Sequence, residues 1–113
     1  MIKIYHNPRC SKSRETLAIL NSENKEFEII KYLKDVPSEK ELKEILKILN
    51  IPAIDLVRKN ESIWKDKYKG KDLSEENIIS AMIENPILIE RPIVINGDKA
   101  VIARPPESIL ELI

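Results

Sequence analysis

The chain opens on an alternating run, Ile2-Lys3-Ile4-Tyr5, that predicts a short strand leading into a loop at Pro8. Leu17 and Leu20 then recur at helical spacing, so a helix is expected over about 12–21 with Ser11 as its cap. Phe27-Glu28-Ile29-Ile30-Lys31-Tyr32, rich in β-branched and aromatic residues, predicts a second strand. Ser38-Glu39-Lys40-Glu41 has the spacing of a capping box. It precedes a helical stripe of Leu42, Ile45, Leu46 and Leu49, which Asn50 and Pro52 end. Residues 53–59 predict a short helical turn; 61–69 are too polar to assign, with Trp64 as their anchor. Leu73-Ser74-Glu75-Glu76 starts a further helix that buries Ile78, Ile79, Met82 and Ile83 and stops before Pro86. Pro92-Ile93-Val94-Ile95 and Lys99-Ala100-Val101-Ile102-Ala103 predict two strands joined at Asn96-Gly97, a strong hairpin signal. Pro105-Pro106 opens a last helix expected to turn Ile109, Leu110 and Ile113 inward.

This order of elements is α/β: a βαβ unit, several helices, then ββα, which together make a mixed sheet with helices on its faces. It is the thioredoxin-like arrangement, in one domain spanning 1–113 with a helical insertion at about 38–86 packed to one side. Composition agrees, since 42% hydrophobic and 34% charged residues describe a globular chain rather than a disordered one. Lys plus Arg and Asp plus Glu balance at 19 each, which leaves no basic surplus for nucleic acid. No apolar run reaches membrane-spanning length, and the N-terminus lacks the apolar core of a signal peptide. The single cysteine excludes an internal disulfide. A cytoplasmic monomer with neither nucleic-acid nor membrane partners is therefore expected.

Cys10 carries the chemistry. A lone cysteine is most often buried and inert. This one stands where a strand gives way to a helix, among polar Arg9, Ser11, Lys12 and Ser13. There the free N–H groups and the dipole of a helix N-terminus favour the reactive thiolate. Cys10-x-x-Ser13 has the spacing of a redox site that lacks its resolving thiol, so any disulfide must join another molecule and turnover needs an external thiol. His6, four residues upstream, is either an ordinary loop side chain or an imidazolium or hydrogen-bond donor that lowers the thiol pKa. Arginines are few (Arg9, Arg14, Arg58, Arg91 and Arg104), and lysines supply the rest of the basic surface. Arg91 and Arg104 each precede a proline at a segment end, and each taken singly is an ordinary exposed residue or helix cap. Three such forks around one thiol would cradle a tetrahedral oxyanion. Pro92, which opens a strand without a donor to offer, marks special backbone; in a thioredoxin-like fold a cis proline faces the active cysteine here.

Taken together, Ile4-Tyr5-His6-Asn7-Pro8 with Cys10 and Ser13-Arg14, Thr16-Leu17, Leu56-Val57-Arg58-Lys59-Asn60, Asn85 to Val94 and Ala103-Arg104-Pro105 resemble the glutaredoxin-dependent arsenate reductases, the thioredoxin-like ArsC and Spx-type group. The resemblance implies that Cys10 is the nucleophile and that Arg58, Arg91 and Arg104 bind the oxyanion. It further implies that His6 and Ser13 tune the thiolate and that the bond before Pro92 is cis. The implied reaction is attack of the thiolate on arsenate. Glutathione is the co-substrate and a glutaredoxin the final reductant, with no bound cofactor, metal or nucleotide. Ser13 in place of a second cysteine departs from the Cys-x-x-Cys switch of Spx-type regulators. Two other readings stand beside the enzyme: an Spx-like module that binds another protein, and a general oxidoreductase of glutathione mixed disulfides, for which three arginines have no use.

Overall fold

The computed structural model describes residues 2–113. The chain divides into two compact units, one made of the segment up to Asp35 together with Arg91–Ile113, the other of Val36–Glu90.

The first unit is a four-stranded sheet. Its strands are β1 (Ile2–Tyr5), β2 (Phe27–Ile30), β3 (Ile93–Asn96) and β4 (Lys99–Ile102), in the order β2-β1-β3-β4. β2 lies parallel to β1, joined by helix α1 (Ser11–Ser22), while β3 is antiparallel to both β1 and β4. The mixed sheet of a βαβ unit followed by a hairpin is thus present. β2 stops at Ile30, two residues short of the apolar run, and Tyr32 is buried in the turn that follows. The core joins Ile2 and Ile4 of β1 to Leu20 of α1, Val94 of β3, Ala103 and Ile109. The hairpin loop is Gly97-Asp98, since Asn96 still pairs with Lys99; Gly97 takes the positive φ of 65° that a tight turn needs.

The closing segment departs from expectation. Pro106–Glu111 is a 3₁₀ helix, not an α-helix. Three residues per turn align Pro106, Ile109 and Leu112 on one side, so Ile109 is buried while Leu110, expected inside, is 48% exposed.

The second unit contains α2 (Glu39–Leu49), α3 (Ser62–Lys67) and α4 (Glu75–Glu84), with 3₁₀ turns at Ala53–Leu56 and Pro86–Leu88. The capping box forms: the Glu41 N–H donates to Ser38 Oγ at 3.1 Å and the Ser38 N–H to Glu41 Oε1 at 3.2 Å. Asn50, left-handed at φ 56°, ends α2. α4 repeats the device with Ser74 and Asn77. Leu42, Ile45 and Leu46 of α2 and Ile78, Ile79 and Met82 of α4 are buried where the two helices pack; Ile83 is only half-buried. The stretch too polar to assign forms α3, with Trp64 buried and stacked on Tyr68 at 5.3 Å between ring centres. Among the described residues no helix is long and apolar enough to cross a membrane.

Candidate active site

The sheet register explains how distant residues meet. Tyr5, the last residue of β1, sits opposite Ile93, the first of β3, and Ile93 in turn sits opposite Ile102, the last of β4. One end of the sheet therefore receives the loop leaving β1, the Arg91-Pro92 segment entering β3 and the Ala103-Arg104 segment leaving β4. The Ala103 N–H donates to the Pro92 carbonyl at 2.9 Å and holds the last two together. The Arg91–Pro92 and Arg104–Pro105 peptides are both cis.

The loop from β1 is built by Asn7. The His6 N–H donates to the Ile30 carbonyl at 2.9 Å, extending the β1–β2 pairing by one residue. Asn7-Pro8-Arg9-Cys10 then forms a turn closed by the Cys10 N–H on the Asn7 carbonyl at 3.0 Å. Asn at the first position and Pro at the second suit such a turn. Arg14 Nη1 braces it from outside by donating to the Pro8 carbonyl at 3.0 Å.

Cys10, not Ser11, is the N-cap of α1: its backbone is extended at φ −93° and ψ 122°, while Ser11 is already helical. Its carbonyl accepts the Arg14 N–H at 3.1 Å, the first bond of the helix. The residues preferred at this position are Ser, Thr, Asp and Asn, whose oxygen accepts the N–H of the second or third helical residue. Here a sulfur occupies the position. Burial pushes the Cys10 thiol up, but the Ser13 N–H, the Arg91 guanidinium and the Lys12 N–H outweigh burial and bring its pKa down to about 7. Arg104 Nη1 lies 3.9 Å from Cys10 Sγ and donates to the Arg91 carbonyl at 3.0 Å. Cys10 is half-buried, Arg91 is only 8% exposed, and Arg104 is exposed. The arrangement is a partly exposed cysteine sulfur at a helix N-terminus, with the buried Arg91 and the solvent-facing Arg104 guanidinium beside it.

The other anticipated residues fare differently. Arg58 belongs to the second unit, where Glu90 at 3.1 Å and Glu61 at 3.4 Å engage its guanidinium. Burial, Lys31 and Arg14 all hold His6 below the ordinary imidazole range, so the imidazolium considered for it is disfavoured at neutral pH. Its Nδ1 is buried without a hydrogen-bond partner among the described residues. Ser13 is buried; its N–H acts on the sulfur while its Oγ accepts the Asn7 N–H at 3.3 Å. The structure adds Asn7 and Arg14 as residues that hold the nucleophile loop; of the two, only Asn7, through the Asn7-Pro8 turn signal, has a local mark in the sequence. Among the described residues no group of three or more His, Cys, Asp or Glu side chains gathers as a metal ion would require.

A model of the ArsC family matches residues 5–112. The chain belongs to the ArsC family. It is 47% identical to the uncharacterized protein YfgD of Escherichia coli, over 99% of this chain and 96% of that one. It is 46% identical to the arsenate reductase of Haemophilus influenzae, over 97% of each. Among solved structures it superposes on an arsenate reductase from Vibrio cholerae with a TM-score of 0.95 at 43% identity, covering 99% of this chain and 97% of that one. The thioredoxin-like fold expected from the order of elements is the fold this ArsC chain has.

Proposed function

We propose that this ArsC-family chain reduces arsenate. The observation that carries the reading is the Cys10 sulfur, brought to a pKa of about 7 at the start of α1, with Arg91 and Arg104 beside it. At neutral pH about half of such a thiol is ionised, against a few per cent of an ordinary cysteine. The thiolate attacks arsenic, an S–As bond forms, and an arsenic oxygen leaves as water after protonation. Arg91 and Arg104 neutralise the oxyanion and the charge that builds up on its oxygens. Glutathione then attacks Cys10 Sγ. The S–As bond breaks with its electron pair staying on arsenic, arsenite departs, and two thiols have become one mixed disulfide. A glutaredoxin clears that disulfide, because Ser13 cannot do so. Ser13 contributes its N–H to the sulfur, and His6, held neutral, adds no charge of its own. The family resemblance adds Arg58 as a third arginine for the oxyanion. No bound cofactor is part of the scheme; glutathione enters as a co-substrate.

The test is arsenite formation by the purified protein supplied with arsenate, glutathione and a glutaredoxin. Arsenate consumed in proportion to glutathione oxidised supports the reading. A folded protein that leaves arsenate untouched overturns it.

A further inference from the structure

We infer that Asn7 is a positioning residue for the Cys10 sulfur: its side-chain oxygen fixes the turn that points the sulfur at the first N–H groups of α1. The inference rests on Cys10 being the nucleophile of the reading above.

Asn7 is 3% exposed and anchors both ends of the nucleophile loop. Its carbonyl accepts the Cys10 N–H at 3.0 Å, and its own N–H donates to Ser13 Oγ at 3.3 Å, one turn into α1. Its side-chain Oδ1 accepts the Arg9 N–H at 3.0 Å. The two main-chain bonds are open to almost any residue at this position. The third belongs to the side chain, and it pins the middle of the turn, where Pro8 already restricts the backbone. One tie thus runs from Asn7 to the cap residue Cys10 itself, one to Ser13 in the first turn of α1, and the third holds the turn at Arg9. Loosening this turn lets Cys10 leave the extended geometry of an N-cap, and a sulfur displaced by about an ångström loses much of the stabilisation that the N–H groups of the first turn give its ionised form. Arg91 and Arg104, which reach the sulfur from the β3 and β4 side, are the charged groups facing it and stay in place when Asn7 changes.

The experiment is titration of the Cys10 thiol by thiolate absorbance and by alkylation rate, in the unchanged protein and in Asn7→Ala and Asn7→Ser. The alanine variant lacks the acceptor, and its midpoint rises by about one unit from the unchanged value. The serine variant keeps a weaker acceptor in the same turn and recovers more than half of that rise. Identical midpoints in all three proteins overturn the inference; so does an equal rise in both variants, which makes the lost bulk rather than the acceptor responsible. If Asn7→Ala does not fold, Asn7→Gly, which also lacks the acceptor, replaces it with the same outcomes. Failure of both to fold also overturns the inference, since Asn7 would then determine the fold rather than the sulfur. Titration needs no substrate. A shifted midpoint in a protein that never reduces arsenate keeps the positioning role and removes the substrate, and normal reduction with an unshifted midpoint does the reverse.

Discussion

Two helix beginnings in this chain solve the same problem in opposite ways. At α2, Ser38 and Glu41 close a reciprocal capping box, and the protein satisfies its own N–H groups with oxygen. At α1, Cys10 holds the cap position, no side-chain oxygen serves it, and the N–H groups of Lys12 and Ser13 act on sulfur. Oxygen capping stabilises a helix by about 1 kcal/mol. A neutral thiol is a poor acceptor and gives little of this, whereas a thiolate accepts well. The first turn of α1 is therefore matched to the ionised cysteine. A helix N-terminus can serve stability or reactivity, according to which atom is placed against it.

Cys10→Ser converts α1 to an ordinary oxygen cap; arsenate reduction should fall by roughly three orders of magnitude or more, as when a covalent nucleophile is removed. At pH 6 the melting temperature of this variant should be no lower than that of the unchanged protein. A variant that keeps reducing arsenate shows that the nucleophile is elsewhere. Next in size is Arg91→Lys, which keeps a charge but loses the fork. We expect KM for arsenate to rise about tenfold and the thiol midpoint to move up, as steady-state kinetics and alkylation would show. Arg104→Lys should shift both in the same direction but less, because Arg104 is exposed.

Folding lowers the Cys10 pKa from 9.0 to about 7, so folding favours the ionised form. The stability this brings is fully present above the free-thiol pKa and is lost as pH falls through about 7. Denaturant unfolding at pH 6 and pH 9.5 should therefore show the unchanged protein gaining on Cys10→Ser as pH rises, and alkylation should have its midpoint near 7. The smallest effect is expected at the other helix. Ser38→Ala should cost about 1 kcal/mol of stability in the second unit and leave the thiol midpoint where it was.

Much of this molecule was legible because its signals are local. The Ser38–Glu41 box, the stripe of α2, the Asn96-Gly97 hairpin and the strand-to-helix placement of Cys10 depend on residues within a few positions of one another. Local signals erred where a competing local geometry won. Ser11 was expected to cap α1, but the Asn7–Cys10 turn ends one residue earlier and gives that position to Cys10. Leu110 was expected inside, but the consecutive prolines lead into a three-residue repeat that turns it outward. His6 was open to a charged reading, which burial and its basic neighbours disfavour.

Sequence alone determined most of the elements, their order and the placing of a lone cysteine at the start of a helix, because propensity, periodicity and capping act over one or two turns of chain. Only the tertiary structure decided what surrounds the sulfur. Arg104 reaches Cys10 across 94 residues, and Arg91 reaches it because β3 runs antiparallel beside β1 in a particular register. Strand pairing fixes such meetings through hydrogen bonds between segments that carry no mark of their partner, so side chains far apart in sequence converge on one thiol only when the sheet has assembled.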